Sequence, residues 1–315
     1  MKTIVTGGAG FIGGHLVNRL LSLGYYVTIV DNFSSGKKEF LKDNLGHKNL
    51  RIINEDLLNQ QKIKKIFKGH NFVFHLASNP DIAKGIKDPS LDFKQGIMVT
   101  FNVLEAMRGN NIKKIFYPSG SGVYGDVGNI YTNENFSPLI PVSMYGASKL
   151  SAEVLISAFC YLFDMQAWIL RPANIIGPHS THGVVFDFIK KLKRNPKELE
   201  ILGNGKQSKS YLYIDDVINA ILLVISKSKE KINIFNIASS DFIDVSSIAK
   251  LVISGMNLKN VKLNYSGGKV GWKGDVPIVR IDAQKIKKIG WQPEYNSSQA
   301  VKKTIGELLK EKRCN

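Results

Sequence analysis

The chain has 315 residues, 43% hydrophobic and 22% charged, close to the ordinary globular balance, which excludes a disordered, collagenous or coiled-coil protein. Its apolar runs are too short to cross a bilayer, which takes about 20 residues, and its length allows one large domain or two interleaved ones. The net charge is +17, but 36 of the 43 cations are Lys spread along the chain; base-reading nucleic-acid sites favour the Arg fork, so no nucleic-acid partner is expected.

Thr3–Thr6 reads as a strand, and Gly10–Leu23 carries an apolar stripe at helical spacing. Tyr26–Val30 is a second strand ending at Asp31. Arg51–Asn54, Phe72–Leu76 and Lys114–Pro118 read as further strands, with helices between them over Gln60–Lys68 and Leu91–Arg108. A long helix follows over Tyr145–Phe163, then a strand over Gln166–Arg171. This alternation predicts an α/β fold, a Rossmann-like doubly wound parallel sheet with helices on both faces. After Pro172 turn residues cluster, as at Gly177-Pro178 and Gly203-Asn204-Gly205, and elements shorten apart from a buried strand over Ile232–Ala238. A smaller, partly interleaved C-terminal domain is therefore expected. Residues 1–172 plus about 213–240 would form the nucleotide-binding domain, and 173–212 with 241–315 the substrate domain.

Gly7-Gly8-Ala9-Gly10-Phe11-Ile12-Gly13 follows the first strand and opens the first helix. A dinucleotide site needs Gly7 for a tight turn, Gly10 for close approach of backbone to pyrophosphate, and Gly13 for close helix–sheet packing. The helix N-terminus, at Phe11 and Ile12, then offers free N–H groups and the positive end of its dipole. Asp31, with Asn32 after it, can accept two hydrogen bonds from the adenosine ribose and repels a 2′-phosphate, which favours NAD; Lys37 and Lys38 leave NADP as the minor option.

The G-x-x-G-x-x-G spacing resembles the extended short-chain dehydrogenase/reductase superfamily, in the nucleotide-sugar epimerase branch of the NAD-dependent epimerase/dehydratase family. The resemblance runs over nearly the whole chain. It implies that Asp56-Leu57 brackets the adenine, that His75-Leu76-Ala77 lies along the cofactor, and that Asn102 is a further cofactor position.

Tyr145-Gly-Ala-Ser-Lys149 is the most informative pentapeptide. Residues four apart share a helix face, so the Lys149 ammonium sits beside the Tyr145 phenol. A free phenol titrates near 10; an adjacent cation and a positive nicotinamide ring favour the phenolate, which can then take a hydroxyl proton as hydride leaves carbon. Pro118-Ser-Gly-Ser-Gly-Val-Tyr-Gly125 resembles the family's Ser-rich loop. Many members carry Ser or Thr three residues before Val-Tyr-Gly, where this chain has Gly120; Ser121 first, and Ser119 second, are the expected hydroxyls. Dehydratases of the superfamily need Asp-Glu just before Val-Tyr-Gly. Ser121 and Gly122 stand there, so elimination lacks proton carriers.

The resemblance also implies that Asn174 contacts the nucleotide diphosphate and that Gly203–Tyr211 grips it, with Lys209 where many members use Arg. Gly267–Pro277 matches a loop that often supplies a second Arg; here Lys269, Lys273 and Asp275 are the candidates. His15, His75, His179 and His182 are scattered without ligand spacing, so no metal is expected. Cys160 and Cys314 allow at most one bridge, and Met1–Gly7 carries no apolar targeting stretch, so a cytoplasmic location is expected. The function implied is NAD-dependent inversion of C4 in a nucleotide sugar of the UDP-glucose/UDP-galactose type. A 4-ketoreductase or decarboxylase on the same scaffold, or a non-catalytic NAD-binding protein, are the alternatives. The family also implies a homodimer that pairs Leu91–Arg108 and Tyr145–Phe163.

Overall fold

Strands sandwiched between two helical layers must be buried on both faces, and the first elements meet that condition. Thr3–Thr6 and all of Phe72–His75 are buried. The computed structural model describes residues 1–311; Cys314 lies outside the described residues. In chain order the elements that build the site are β1 (Lys2–Thr6), α1 (Phe11–Ser22), β2 (Tyr26–Asp31), β3 (Leu50–Asn54), α2 (Gln60–Ile66), β4 (Phe72–His75), α3 (Ile82–Lys87), α4 (Pro89–Asp92), α5 (Val99–Gly109), β5 (Lys114–Pro118) and α6 (Met144–Leu162).

Together with strands Gln166–Pro172 and Ile232–Ile237, β1–β5 make a seven-stranded sheet. Its order is 232–237, 166–172, β5, β4, β1, β2, β3. β1 pairs in parallel with β2 on one side and β4 on the other, with Thr6 opposite both Val30 and His75. The chain order reverses there, and open α/β sheets bind ligands at the strand ends beside such a switch point. One face of the sheet (Ile4, Val30, Val73, Ile115 and Ile169) packs on Val103, Leu104 and Met107 of α5 and on Ala152, Ile156 and Phe159 of α6. Apart from Ala152, each such side chain stabilises the fold by about 1.5–3 kcal/mol.

The helix expected over Leu91–Arg108 departs from regularity. Asp88 accepts a hydrogen bond from Ser90 N at 3.0 Å and Pro89 follows, starting α4. Phe93–Met98 then runs as a π-helical stretch before α5 begins. A Cβ on Gly96, inside that stretch, would lie 2.7 Å from Ser148 Cβ of α6. Gly96 thus lets the two helices approach closely, and π turns are frequent at functional positions. α3 was not among the expected elements; Asp81 starts it by accepting from Ala83 N and Lys84 N.

The residues group into two compact units, 1–123 with 143–171 and 221–235, and 124–142 with 172–220 and 236 onward. Residues 124–142, 172, 213–220 and 236–240, assigned from sequence to the first domain, group with the second unit. Long-range pairing is the reason: Tyr131–Thr132 pairs with Arg280–Ile281, and the Asn236 amide donates to Thr132 O at 2.9 Å and Asp282 O at 3.0 Å. Among the described residues, no helix is long and apolar enough to cross a membrane.

Candidate active site

The glycine turn is built by close approach. Gly7 has φ +66°, and a Cβ there would stand 2.7 Å from Ala77 N. A Cβ on Gly13 would collide with Gly7 O. Gly10 N donates to Gly7 O at 3.1 Å and closes the turn; the first bond inside α1 is Gly14 N to Gly10 O at 2.9 Å. The N–H groups of Phe11, Ile12 and Gly13 precede that bond, with no side-chain cap and no acid in the first turn. This uncharged concave backbone at a helix N-terminus fits a dinucleotide pyrophosphate.

Asp31 ends β2 and is 8% exposed. Its Oδ2 accepts from Ala9 N at 2.9 Å and its Oδ1 from Phe33 N at 2.8 Å. Phe33 is in the left-handed region, φ 56°, which turns its N–H back onto the carboxylate. Burial raises the Asp31 pKa, and the two backbone donors pull it back down. Each oxygen keeps acceptor capacity for a ribose hydroxyl. A Cβ on Gly36 would lie 2.9 Å from Asp31 Oδ1, so Gly36 keeps that approach open. Sequence reasoning missed Gly36; the Ser34-Ser35-Gly36 turn was the available signal.

Asn32 Nδ2 donates to Asp56 Oδ2 at 3.0 Å, and Asp56 Oδ1 accepts from Leu58 N at 2.8 Å. Asn102 Nδ2 donates to Leu57 O at 3.1 Å and so holds this loop in place. Leu76 N donates to Thr6 O at 3.1 Å, setting Leu76 and Ala77 over Gly7. His75 is fully buried between Thr6 Oγ1 on Nδ1 (2.8 Å) and Thr100 Oγ1 on Nε2 (3.0 Å). Ala77 N donates to Thr6 Oγ1, and Thr100 Oγ1 donates to Gly96 O. Thr100 has spent its proton, so His75 donates through Nε2 and accepts on Nδ1. Burial, then the Lys149 charge, holds its pKa down at about 3.

The pair expected from Tyr145-x-x-x-Lys149 forms in the same unit. Ser143 caps α6 by accepting from Gly146 N at 3.1 Å, which places Tyr145 in the first turn. Lys149 is 4% exposed; its Nζ donates to Pro118 O at 2.9 Å and to Ser78 Oγ at 3.4 Å. Nζ lies 5.5 Å from the Tyr145 ring centroid and 5.0 Å from that of Tyr117. Desolvation lowers the Lys149 pKa to about 8, against the opposing pull of Asp92 and Glu153. Tyr145 is half-buried, and desolvation followed by Asp92 pushes it up to about 12. Lys149 alone therefore does not bring the phenol into the neutral range; the further cation expected there is the nicotinamide. One turn along α6, Glu153 forms a buried ion pair with Arg171, Nε to Oε1 at 3.0 Å and Nη2 to Oε2 at 2.6 Å.

Of the two serines flanking Gly120, Ser119 is 4% exposed with its backbone N donating to Leu170 O at 2.8 Å. Its Oγ has no hydrogen-bond partner among the described residues. Ser121 is half-buried at the start of a short 3₁₀ turn. The free buried hydroxyl moves Ser119 ahead of Ser121. A Cβ on Gly120 would meet nothing within 4 Å.

In the second unit, Lys209 Nζ pairs with the buried Asp275 Oδ1 at 2.8 Å and lies 5.7 Å from the Trp272 ring centroid. Asp275 also closes its own loop by accepting from Gly271 N at 3.2 Å. Lys209 and Asp275, expected as separate contacts, are thus one oriented pair, while Lys269 and Lys273 stand exposed. Asn174 pairs in parallel with Tyr211, whose phenol is pushed up to about 12 by burial against a hydrogen bond to Asn174. Tyr211 and Trp272 lie inside the two segments expected to meet the nucleotide, but only the charged residues of those segments were singled out in the sequence.

Against known proteins, the model of the NAD dependent epimerase/dehydratase family matches residues 3–238. A crystal structure of a UDP-galactose 4-epimerase is 37% identical with a TM-score of 0.89, covering 99% of this chain and all of that one. UDP-glucose 4-epimerase of Thermotoga maritima, solved with UDP-glucose, is 32% identical at TM-score 0.89, with 98% of this chain and 99% of that one covered. UDP-glucose 4-epimerase of Thermus thermophilus, solved with NAD, is 27% identical at TM-score 0.87 over 98% of this chain and 99% of that one.

Proposed function

This chain belongs to the NAD-dependent epimerase/dehydratase family, and from that membership we propose that it inverts C4 of a nucleotide sugar of the UDP-glucose/UDP-galactose type through a transient 4-keto sugar. The observation that carries this is the placement of Tyr145 and Lys149 on one face of α6, with Lys149 pinned to Pro118 O and Ser78 Oγ. When bound, NAD accepts a hydride from the sugar carbon and later returns it. Tyr145 takes the C4 hydroxyl proton as the ketone forms and gives it back as the alcohol is restored. Lys149 keeps positive charge beside the phenol, and Ser119, or Ser121, donates to the reacting oxygen. Gly7, Gly10, Phe11, Ile12 and Gly13 hold the pyrophosphate. Asp31 holds the ribose hydroxyls, and Asn32, Asp56, Leu57, Leu76, Ala77 and Asn102 shape the rest of the cofactor surface. Asn174, Lys209, Lys273 and Asp275 serve the sugar nucleotide, with Asp275 orienting the Lys209 point charge toward phosphate.

Elimination has no support, because neither Ser121 nor Gly122 can carry a proton as a carboxyl would. The test is conversion of UDP-galactose to UDP-glucose. Failure with UDP-glucose, UDP-N-acetylglucosamine and UDP-glucuronate alike overturns the proposal. Net consumption of NADH would mark a ketoreductase instead, and release of carbon dioxide a decarboxylase. Tyr145→Phe should lose about 10²–10⁴-fold in turnover while still binding NAD.

A homodimer belongs to the same proposal. Phe93, Phe101, Val154, Tyr161 and Leu162 are 43–72% exposed along the two helical stretches named for it, and clustered exposed apolar side chains mark association surfaces. A monomeric mass by light scattering at micromolar concentration refutes it.

A further inference from the structure

Asp92 ends α4 and is 1% exposed. Its Oδ1 accepts from Asn79 Nδ2 at 2.9 Å, while Oδ2 has no donor among the described residues. Gly85 of α3 makes the room for Oδ2; a Cβ there would collide with it. Asn79 is itself fixed, donating to Asp81 O at 2.9 Å and accepting from Asp81 N at 3.1 Å. A carboxyl held out of water by a single neutral donor is costly to ionise, so charge nearby decides its state.

That charge is on α6. The π-helical stretch and α5 run beside α6 in the same direction, Gly96 against Ser148 and Phe101 against Phe159, whose ring centroids are 6.1 Å apart. One turn before Gly96, Asp92 comes level with the first turn of α6, which carries Tyr145. Asp92 raises the proton affinity of both Tyr145 and Lys149, and the Lys149 charge in turn lowers that of Asp92 against burial. Among the described residues, the other ionisable groups facing the pair are already accounted for. Glu153 is paired with Arg171, His75 is neutral, and the buried Tyr117 keeps its proton well above the usual phenol range. Asp92 is the carboxyl near the pair with no cation of its own among the described residues.

We propose that Asp92 is a positioning residue that sets the proton affinity of the Tyr145–Lys149 pair, acting through its charge and not by touching substrate. This rests on Tyr145 as the acid–base group of the proposed function. Ionised Asp92 holds Lys149 as an ammonium and keeps the Tyr145 proton on to higher pH.

Asp92→Asn keeps the size and an acceptor for Asn79. The phenolate of Tyr145 is followed with NAD bound by ultraviolet difference titration against the matching Tyr145→Phe protein, in both the parent and the Asp92→Asn background. The midpoint should fall by about one pH unit in the variant, and the acid limb of the kcat profile should move with it. Should Asp92→Asn not fold, Asp92→Ala removes the same charge and should give the same shift. An unchanged midpoint beside a lowered Tm would make Asp92 merely structural and overturn the proposal. A shifted midpoint in a protein that converts no sugar nucleotide would uphold Asp92 and sink the C4 reaction.

Discussion

Lys149→Met tests whether the buried ammonium is held against its own folding cost. Its pKa falls from the ordinary 10.5 to about 8, and the side chain is 4% exposed. At about 1.4 kcal/mol per pH unit, that is a penalty of about 3 kcal/mol on the folded state at pH 7. The folded value lies below the unfolded one. The unfolded chain therefore binds the extra proton between the two values, so the penalty is full below about pH 8 and fades as pH rises toward 10.5. Methionine removes the charge but leaves Pro118 O without its 2.9 Å donor, at a cost of about 1–3 kcal/mol. At pH 7 the two effects nearly offset, leaving the variant between equal to the parent and slightly more stable. Near pH 10 less than about 1 kcal/mol of the penalty remains beside the unpaired carbonyl, so the variant should lose about 2 kcal/mol relative to the parent between pH 7 and pH 10. Urea unfolding of cofactor-free protein at both pH values measures this, and turnover should be lost throughout. A stability difference that does not change with pH would refute the buried-charge argument.

Gly7→Ala forces a side chain into φ +66° and to within 2.7 Å of Ala77 N; the rise in Tm produced by NAD should vanish, and an unaltered rise would contradict the pyrophosphate turn. Glu153→Gln takes the carboxylate charge away from the buried Arg171 guanidinium, which should cost about 3–5 kcal/mol in urea unfolding; a loss under about 1 kcal/mol would mean water reaches the pair. Gly120→Ser adds a hydroxyl where a Cβ meets nothing within 4 Å. Tm should hold and kcat should rise, and a fall in kcat would show that Ser119 already fills that role.

The parts of the site that were legible in sequence are those made by short spacings. Gly7, Gly10 and Gly13 work within two turns of chain, Asp31 ends the next strand, and Tyr145 and Lys149 are one helical turn apart. The central strands were legible too, because burial on both faces favours apolar runs such as Phe72–Phe74 of β4. What stayed hidden depends on chain segments far apart. Asp92 is defined by Asn79, Gly85 and α6, and no spacing rule connects them. Gly36 matters only because of where Asp31 turns its carboxylate. The split of residues 124–142 from the first unit follows from pairing with Arg280–Ile281, a partner about 150 positions away that propensity cannot see. The lysines of Gly203–Tyr211 and Gly267–Pro277 looked equivalent as letters, yet Lys209 has a buried carboxylate and Lys273 stands exposed.

The hydrogen-bond chain through His75 has a polarity. Ala77 N, Thr6 Oγ1, His75 Nε2 and Thr100 Oγ1 each donate one proton in the same sense, and Gly96 O accepts the last. A chain of this kind behaves like a row of aligned dipoles: no member can reverse unless all do, and its two ends are backbone groups that cannot. It joins the segment over the glycine turn to the π-helical stretch that packs on α6. The turn over Gly7 and the stretch packed against the helix of Tyr145 and Lys149 are therefore joined by one oriented hydrogen-bond chain, and a valine at either threonine would divide it into two.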